Sequence, residues 1–568
     1  MKTFLLKASL ILVAFAFGAT MLNAQDFTYG DLEYSVNYDD ITVTLTGHVD
    51  GYEATGALNI PTVAYYNGNG YAVTIIDSYA FYYCEGLTGS LVIPNSVREI
   101  GNLAFYRCTG LTSLTLSTSL MDIGDDAFSY CGFTGVVTVP ASVGWIGYTP
   151  FYGCNGIDGF VVDPNNGDYD SRDNCNAIIS SYDNELITGC KNSTIPNTVE
   201  SIAEDAFARC SGLTSITIPG SVTSIGGWSF WFSGLTSITI PSSVDYIGEN
   251  PFGGCAELTT IMVEDGNAVF DSRNNCNAII KTSANELISG CQNSVIPDDV
   301  TRIGDDAFYF IHTLSGELVI PEQITSIGEY AYEGCSGLTG SLIIPNTVLE
   351  IGESAFAHCD GFDGRLVLSD ALTTIPSWAF EECTGFTGSL EIPGGVTTIG
   401  TSAFEGCGNF DGSLILSKLL TFVDDFAFAS CAGFKDAVAL TETPPELGMY
   451  PFGGFGSTTL VVPCGCIPAY EGSAWFEQFT TIHQDCEAVS EDPDLLVKVY
   501  PNPTQGHITI EAEQINYVSV YNLMGQKVFE SVASGDAFEM DLGGLEKGLY
   551  VIQIATAKDF LKKTITVM

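Results

Sequence analysis

The fold is decided by "SLIIPNTVLEIGESAFAHCDGFDG", Ser341 to Gly364. Before it stands "ELVIPEQITSIGEYAYEGCSGLTG", Glu317 to Gly340, and after it "RLVLSDALTTIPSWAFEECTGFTG", Arg365 to Gly388. The same 24 residues are written again and again, and a cysteine keeps its slot: Cys335, Cys359, Cys383, Cys407 and Cys431. Earlier members, Cys108, Cys131 and Cys154, are 23 apart because those coils lose one turn residue. A fixed period of this length marks a stack of small structural units. The unit S-L-x-I-P-x-x-V-x-x-I-G-x-x-A-F-x-x-C-x-G-L-T-G runs from about Ala57 to about Ser457.

Each unit has a simple physical reading. "SLIIP" is a short strand that Pro345 ends by withholding an amide. "VLEI" is a second extended piece closed by Gly352. "ESAFAHC" has helical spacing but is too short to stand alone, so it reads as a single helical or 3₁₀ turn. Leu342, Ile344, Val348, Ile351, Phe356 and Cys359 form the inward set. One unit cannot bury that set, whereas stacked units bury it against their neighbours. The expected fold is an α/β-type solenoid of short, mostly parallel strands with one helical turn per coil.

The cysteine slot admits three readings. Zinc needs converging ligands in closely spaced pairs, and one thiol per coil offers none, while the five histidines are scattered. Disulfides between neighbouring coils fit the strand spacing, yet the ladder has an odd number of members. The slot also accepts Ile311 and Phe455. A position that takes Ile and Phe is a core position, so Cys335, Cys359, Cys383, Cys407 and Cys431 read as small buried hydrophobes.

The formal net charge of −49 excludes nucleic acid as a partner and argues against an anionic membrane surface. The N-terminal "MKTFLLKASLILVAFAFGATMLNAQ" has a basic start, a short apolar run and a cleavage point after Ala24. It reads as a signal peptide, residues 1–24, too short for a lasting anchor, and no later apolar run predicts a transmembrane anchor. The mature chain is therefore expected outside the cytoplasm, where disulfides are allowed.

Two coils are longer, and each carries Cys-x₁₄-Cys: Cys175 with Cys190, and Cys276 with Cys291. Pairing Ile178 with Ile187 places Cys175 opposite Cys190, so each insert reads as a hairpin closed by a cross-strand disulfide, with buried thiols as the alternative. "DSRDN" and "DSRNN", from Asp170 and Asp271, lack the full spacing of a calcium loop and read as Asx turns.

Residues 25–56 alternate apolar and polar side chains and read as a β cap on the stack, which fills 57–486. At its far end Cys464, Cys466 and Cys486 are expected to form one bridge, with Cys466 and Cys486 the candidate pair. An acidic linker, 487–494, leads into residues 495–568, where the 24-residue period stops and evenly spaced strands suggest a small all-β sandwich.

The repeat resembles the BspA-like family of leucine-rich-repeat surface proteins, carried by "SVTSIG", "DDAF" and the C-x-G-L-T spacing. The resemblance implies a right-handed solenoid and adhesion to host matrix proteins or partner cells. The last 74 residues resemble the C-terminal sorting domain of the type IX (Por) secretion system, through "YPNP", "VYNLMGQKV", "LEKGLYVIQI" and "KKTITV". That resemblance implies handling by outer-membrane secretion machinery, arrival on the exterior of a Gram-negative cell, and removal of the domain there.

No G-x-S-x-G, H-E-x-x-H, P-loop or Rossmann pattern occurs, so no enzyme, cofactor or metal is expected. For a binder the natural place is the outward residue of S-L-x-I-P: Val319, Ile343, Val367, Glu391 and Ile415. Four of these are apolar, although β-branched residues favour a pleated surface for their own reasons. The ligand is then an extracellular protein. A glycan platform around Trp228 and Trp231, in a coil that lost its Cys, and a passive cell-coat spacer are the other readings.

Overall fold

The computed structural model describes residues 26–485 and, towards the C-terminus, 498–500, 504, 506–522, 527–545, 547–556 and 560–567. The signal peptide (1–24), the linker (487–494) and Cys486 lie outside the described residues. The chain divides into two compact units. One runs to Ile279 and includes Ser289–Ser294; the other holds Ile280–Ile288 and everything from Val295.

The first unit begins with an antiparallel meander, Asp26–Tyr29, Leu32–Asn37 and Thr42–His48. Alternation sends Leu32, Tyr34, Val36, Val43 and Leu45 inward. Thr42–His48 then pairs in parallel with Asn69–Ile76. From there the ladder passes through Glu99–Ile100, Asp122–Ile123 and Trp145–Ile146, one short strand per coil. Two separate parallel pairs join Gly89–Val92 to Leu111–Thr115 and Gly135–Val139 to Ile157–Val162.

The second unit repeats this plan. Arg302–Ile303, Ser326–Ile327 and Glu350–Ile351 form one parallel ladder. Thr374–Ile375, Thr398–Ile399, Phe422–Val423 and Glu446–Leu447 form another. The S-L-x-I-P strands pair Leu342–Ile343 with Leu366–Val367, and Leu390–Glu391 with Ser413–Leu416. All six residues of the expected inward set, Leu342 to Cys359, are buried. Gly352 is held to glycine by the closeness of the coils, since a Cβ there would lie 2.3 Å from the backbone nitrogen of Glu329.

The segment expected as a helical turn is built as two tight turns. Ala357 N–H donates to Ser354 O, and Cys359 N–H to Phe356 O. The alternate amides leave the coil: Ser354, Phe356 and His358 donate to Ser377, Ala379 and Glu381 of the next one. Ser354 and His358 have φ of 53° and 58°, outside any right-handed helix. A helix would spend these amides inside its own turn, whereas this arrangement uses every second one to tie coils together.

Aromatic rings run down the interior. Phe308, Tyr332, Phe356, Phe380, Phe404, Phe428 and Phe452 stack nearly parallel, with centroids 4.9 to 5.6 Å apart. Phe362, Phe386, Phe410, Phe434 and Phe455 form a second column in the same unit. Two short helices, Ile467–Glu471 and Trp475–Gln478, follow the coils, burying Tyr470 and Trp475. Beyond them, antiparallel strands share a core of Ile508, Ile510, Val518, Val520, Ile552, Ile554 and Ile565. The long strand His507–Asn522 pairs with Lys498–Tyr500 by its first half and with Gly548–Thr556 by its second.

Candidate functional site

The cysteine slot is interior, and it has a hydrogen-bonding role. The thiols of Cys335, Cys359, Cys383, Cys407 and Cys431 each donate to the carbonyl of the ring residue one coil back, at 3.0 to 3.1 Å. In the first unit Cys108, Cys131, Cys154 and Cys255 do the same. Burial pushes up the thiols of the second-unit five and of Cys131, Cys154 and Cys255, that of Cys255 to about 11 and that of Cys154 to about 12. Such thiols are neither nucleophiles nor metal ligands at neutral pH. Among the described residues no group of three or more His, Cys, Asp or Glu is gathered to hold a metal ion.

The inserts correct the disulfide expectation. Cys175, Cys190, Cys276 and Cys291 are free thiols. The first hairpin forms, but a bulge between Ile178 and Ile179 shifts its register, pairing Ile178 with Thr188 rather than with Ile187. Cys175 closes a 3₁₀ turn and gives its thiol to Ala177 O, while Cys190 gives its thiol to Asn176 O. Cys276 and Cys291 repeat this with Ala278 and Asn277. In the cap, Cys464 is disulfide-bonded, whereas Cys466, expected in the bridge, is a free thiol. Cys466 precedes the helix Ile467–Glu471, and its backbone carbonyl accepts from Ala469.

The Asp170 and Asp271 loops are arginine clamps. Arg172 reaches Asp170 through its backbone N–H, its Nε and its Nη2. Arg273 binds Asp271 in the same way. Burial draws the Asp170 carboxyl up, but hydrogen bonds from Arg172 and Ser181 outweigh it and hold the carboxyl below its ordinary value.

Of the outward residues, Val319, Ile343 and Val367 are 74%, 52% and 37% exposed. Ile343 lies directly opposite Val367, and Glu391 opposite Ile415. Glu391 is exposed and Ile415 half-buried, while Val319 lies outside any strand.

One cluster was not singled out in the sequence. In the first unit the residue just before the cysteine slot has positive φ, and it is Tyr83, Arg107, Tyr130, Arg209 or Phe232 in five coils. The Arg107 guanidinium lies 5.1 Å from the centre of the Tyr83 ring and 5.3 Å from that of Tyr130. The Arg209 guanidinium lies 5.8 Å from the Tyr130 centre, 4.8 Å from Trp231 and 4.9 Å from Phe232. Arg209 Nε donates to the Tyr152 hydroxyl. Trp231 thus joins a platform, but no ring contact links Trp228 to it among the described residues.

Stacked coils of this period, with parallel strands and an aliphatic and aromatic interior, define a leucine-rich-repeat protein. The BspA type Leucine rich repeat region matches residues 74–173, 178–310, 278–407 and 364–466, and the chain belongs to that family. The Secretion system C-terminal sorting domain matches residues 498–568 and marks the chain for secretion and attachment at the cell surface. No helix among the described residues is long and apolar enough to cross a membrane.

Among solved structures, a leucine rich cell surface protein from Faecalibacterium prausnitzii is 25% identical, over 73% of this chain and 94% of that one, with a TM-score of 0.42. A leucine-rich repeat protein from Bacteroides ovatus is 22% identical, over 81% and 100%, with a TM-score of 0.30. A curated relative, the endo-acting ulvan lyase of Formosa agariphila, is 33% identical over 75 residues. That match spans 12% of this chain and 14% of the lyase.

Proposed function

We propose that this surface protein is a non-enzymatic adhesin that binds a host matrix protein or a protein of a partner cell. The observation that carries the reading is the run of exposed aliphatic side chains at Val319, Ile343 and Val367 in the second unit. Exposed side chains of this kind suit a protein partner that brings its own apolar patch. Export and surface attachment put the chain where such a partner is met.

The test is binding of the purified chain to immobilised fibronectin and fibrinogen at low and high salt. Saturable binding that survives high salt and is lost in Ile343→Lys with Val367→Lys supports the reading. Binding that vanishes with salt reflects only the −49 charge meeting basic patches. Absence of binding to both proteins, or binding untouched by the double substitution, removes it.

A further inference from the structure

Arg107 and Arg209 both lie within 6 Å of the centre of one ring, that of Tyr130. Two cations on one ring repel each other, and neither has a carboxylate within ion-pair reach among the described residues. The chain has 68 acidic side chains for 19 basic ones, so carboxylates are in ample supply. The other arginine clamps of this unit, Arg172 and Arg273, do hold one. Arg107 and Arg209 are instead laid against aromatic faces, which fixes their planes and leaves fork donors unspent.

The Nε of Arg107 and the indole N–H of Trp231 are shielded from solvent and have no acceptor, so the rings rather than hydrogen bonds at these atoms hold both side chains in place. Tyr83, Arg107, Tyr130, Arg209 and Phe232 also occupy a left-handed position. The same position is Gly153 and Gly254 in two other coils of this unit, and in the other unit it is glycine in three coils and Phe310, His358, Glu382 or Ser430 in four. A bulky residue in that conformation costs about 1–2 kcal/mol relative to glycine, a cost the stack bears in both units.

An open cavity of about 370 Å³ lies beside the array, with Glu85, Arg107, Tyr130 and Asn155 in its wall. Tyr79 and Tyr82 are exposed on the same series of turns and pack edge-on. Rings suit the C–H faces of a sugar, Glu85 and Asn155 suit hydroxyls, and a planar guanidinium suits a carboxylate or a sulfate ester. We infer that the Arg107–Tyr130–Arg209 array is a binding site for an anionic saccharide, one carrying uronate or sulfate groups. This site does not depend on the aliphatic run of the second unit and stands or falls separately from the adhesive reading.

The test is calorimetric titration of the full chain with three probes: hexagalacturonate, its carboxyl-reduced neutral form and a sulfated galactan hexasaccharide. At least one anionic probe is expected to bind ten times more tightly than the neutral one. Arg107→Gln and Arg209→Gln are each expected to weaken that binding at least tenfold, while Arg98→Gln, which removes an exposed charge elsewhere in the unit, leaves it unchanged. If Arg107→Gln fails to fold, Arg107→Lys keeps the charge without the planar fork and is expected to weaken binding at least threefold. Equal binding of the neutral probe, no binding of either anion, or equal losses in all three glutamine variants overturns the assignment.

Discussion

The thiol of Cys383 donates to the backbone carbonyl of Phe356, one coil back, at 3.0 Å. At 383 the slot thus holds a residue small enough for this part of the interior that also offers one hydrogen. Alanine at 383 removes both the sulfur volume and the donor, and is expected to cost about 1–2 kcal/mol. Serine keeps a donor, as the chain itself does at Ser233, which lies 3.3 Å from the sulfur of Cys255. Urea unfolding should show Cys383→Ala shifted further than Cys383→Ser. The reverse order would mean that packing alone governs the slot.

Thiol labelling should separate the cysteines sharply. Among the described residues, fifteen of the sixteen free cysteines are buried and only Cys466 is half-exposed. Brief treatment of the native protein with a maleimide is expected to modify Cys466 far faster than the rest. After unfolding without reductant, Cys175, Cys190, Cys276 and Cys291 should all take up label. Resistance of either pair would show a bridge across that insert.

The ring columns are expected to carry much of the stability of the second unit. Phe380 is fully buried, and its ring lies 5.6 Å from that of Phe356 and 5.3 Å from that of Phe404. Phe380→Ala should cost about 3–5 kcal/mol, the usual range for deleting a buried ring. Phe380→Leu, which refills most of the space, should cost less than half as much. Denaturation midpoints of the two variants check this.

Asp205 predicts a pH dependence. Burial first, then the charges of Glu204 and Asp126, push its carboxyl up to about 6 against the opposing hydrogen bond from Tyr148. The folded state thus holds this proton more tightly than the unfolded chain. Its contribution to stability is complete below about pH 4 and is lost as pH rises through about 6. Asp205→Asn should flatten the stability profile over that window, by about 2 kcal/mol once residual solvation is allowed for. A profile identical to that of the parent would reject the assignment.

The coil was legible because its signals are local and repeated. Leu342, Ile344 and Val348 announce their burial by spacing alone, and Ile311 and Phe455 in the cysteine slot announce an interior. The turns were less legible: the amides of Ser354, Phe356 and His358 bond to a coil 23 residues on, and helical spacing in a short window cannot reveal a partner that distant. The insert register failed on one bulged residue between Ile178 and Ile179. The Arg107 and Arg209 cluster had no period to betray it, because its slot varies from coil to coil and the platform exists only after stacking.

The alternating amides at Ser354, Phe356 and His358 have a consequence for how such a chain can change over generations. Each coil offers its neighbour the same set of donors and acceptors that it receives. Adding or deleting one whole 24-residue unit, as unequal recombination between near-identical gene segments would do, leaves every bond of this kind with a mate. A one-residue change keeps those bonds only where it falls in a turn outside the set, as in the 23-residue coils, where Leu103, Phe105 and Arg107 still donate to Asp125, Ala127 and Ser129. A complete coil is the edit that leaves both the turns and the interior unaltered, and length becomes a heritable variable that the interior does not police.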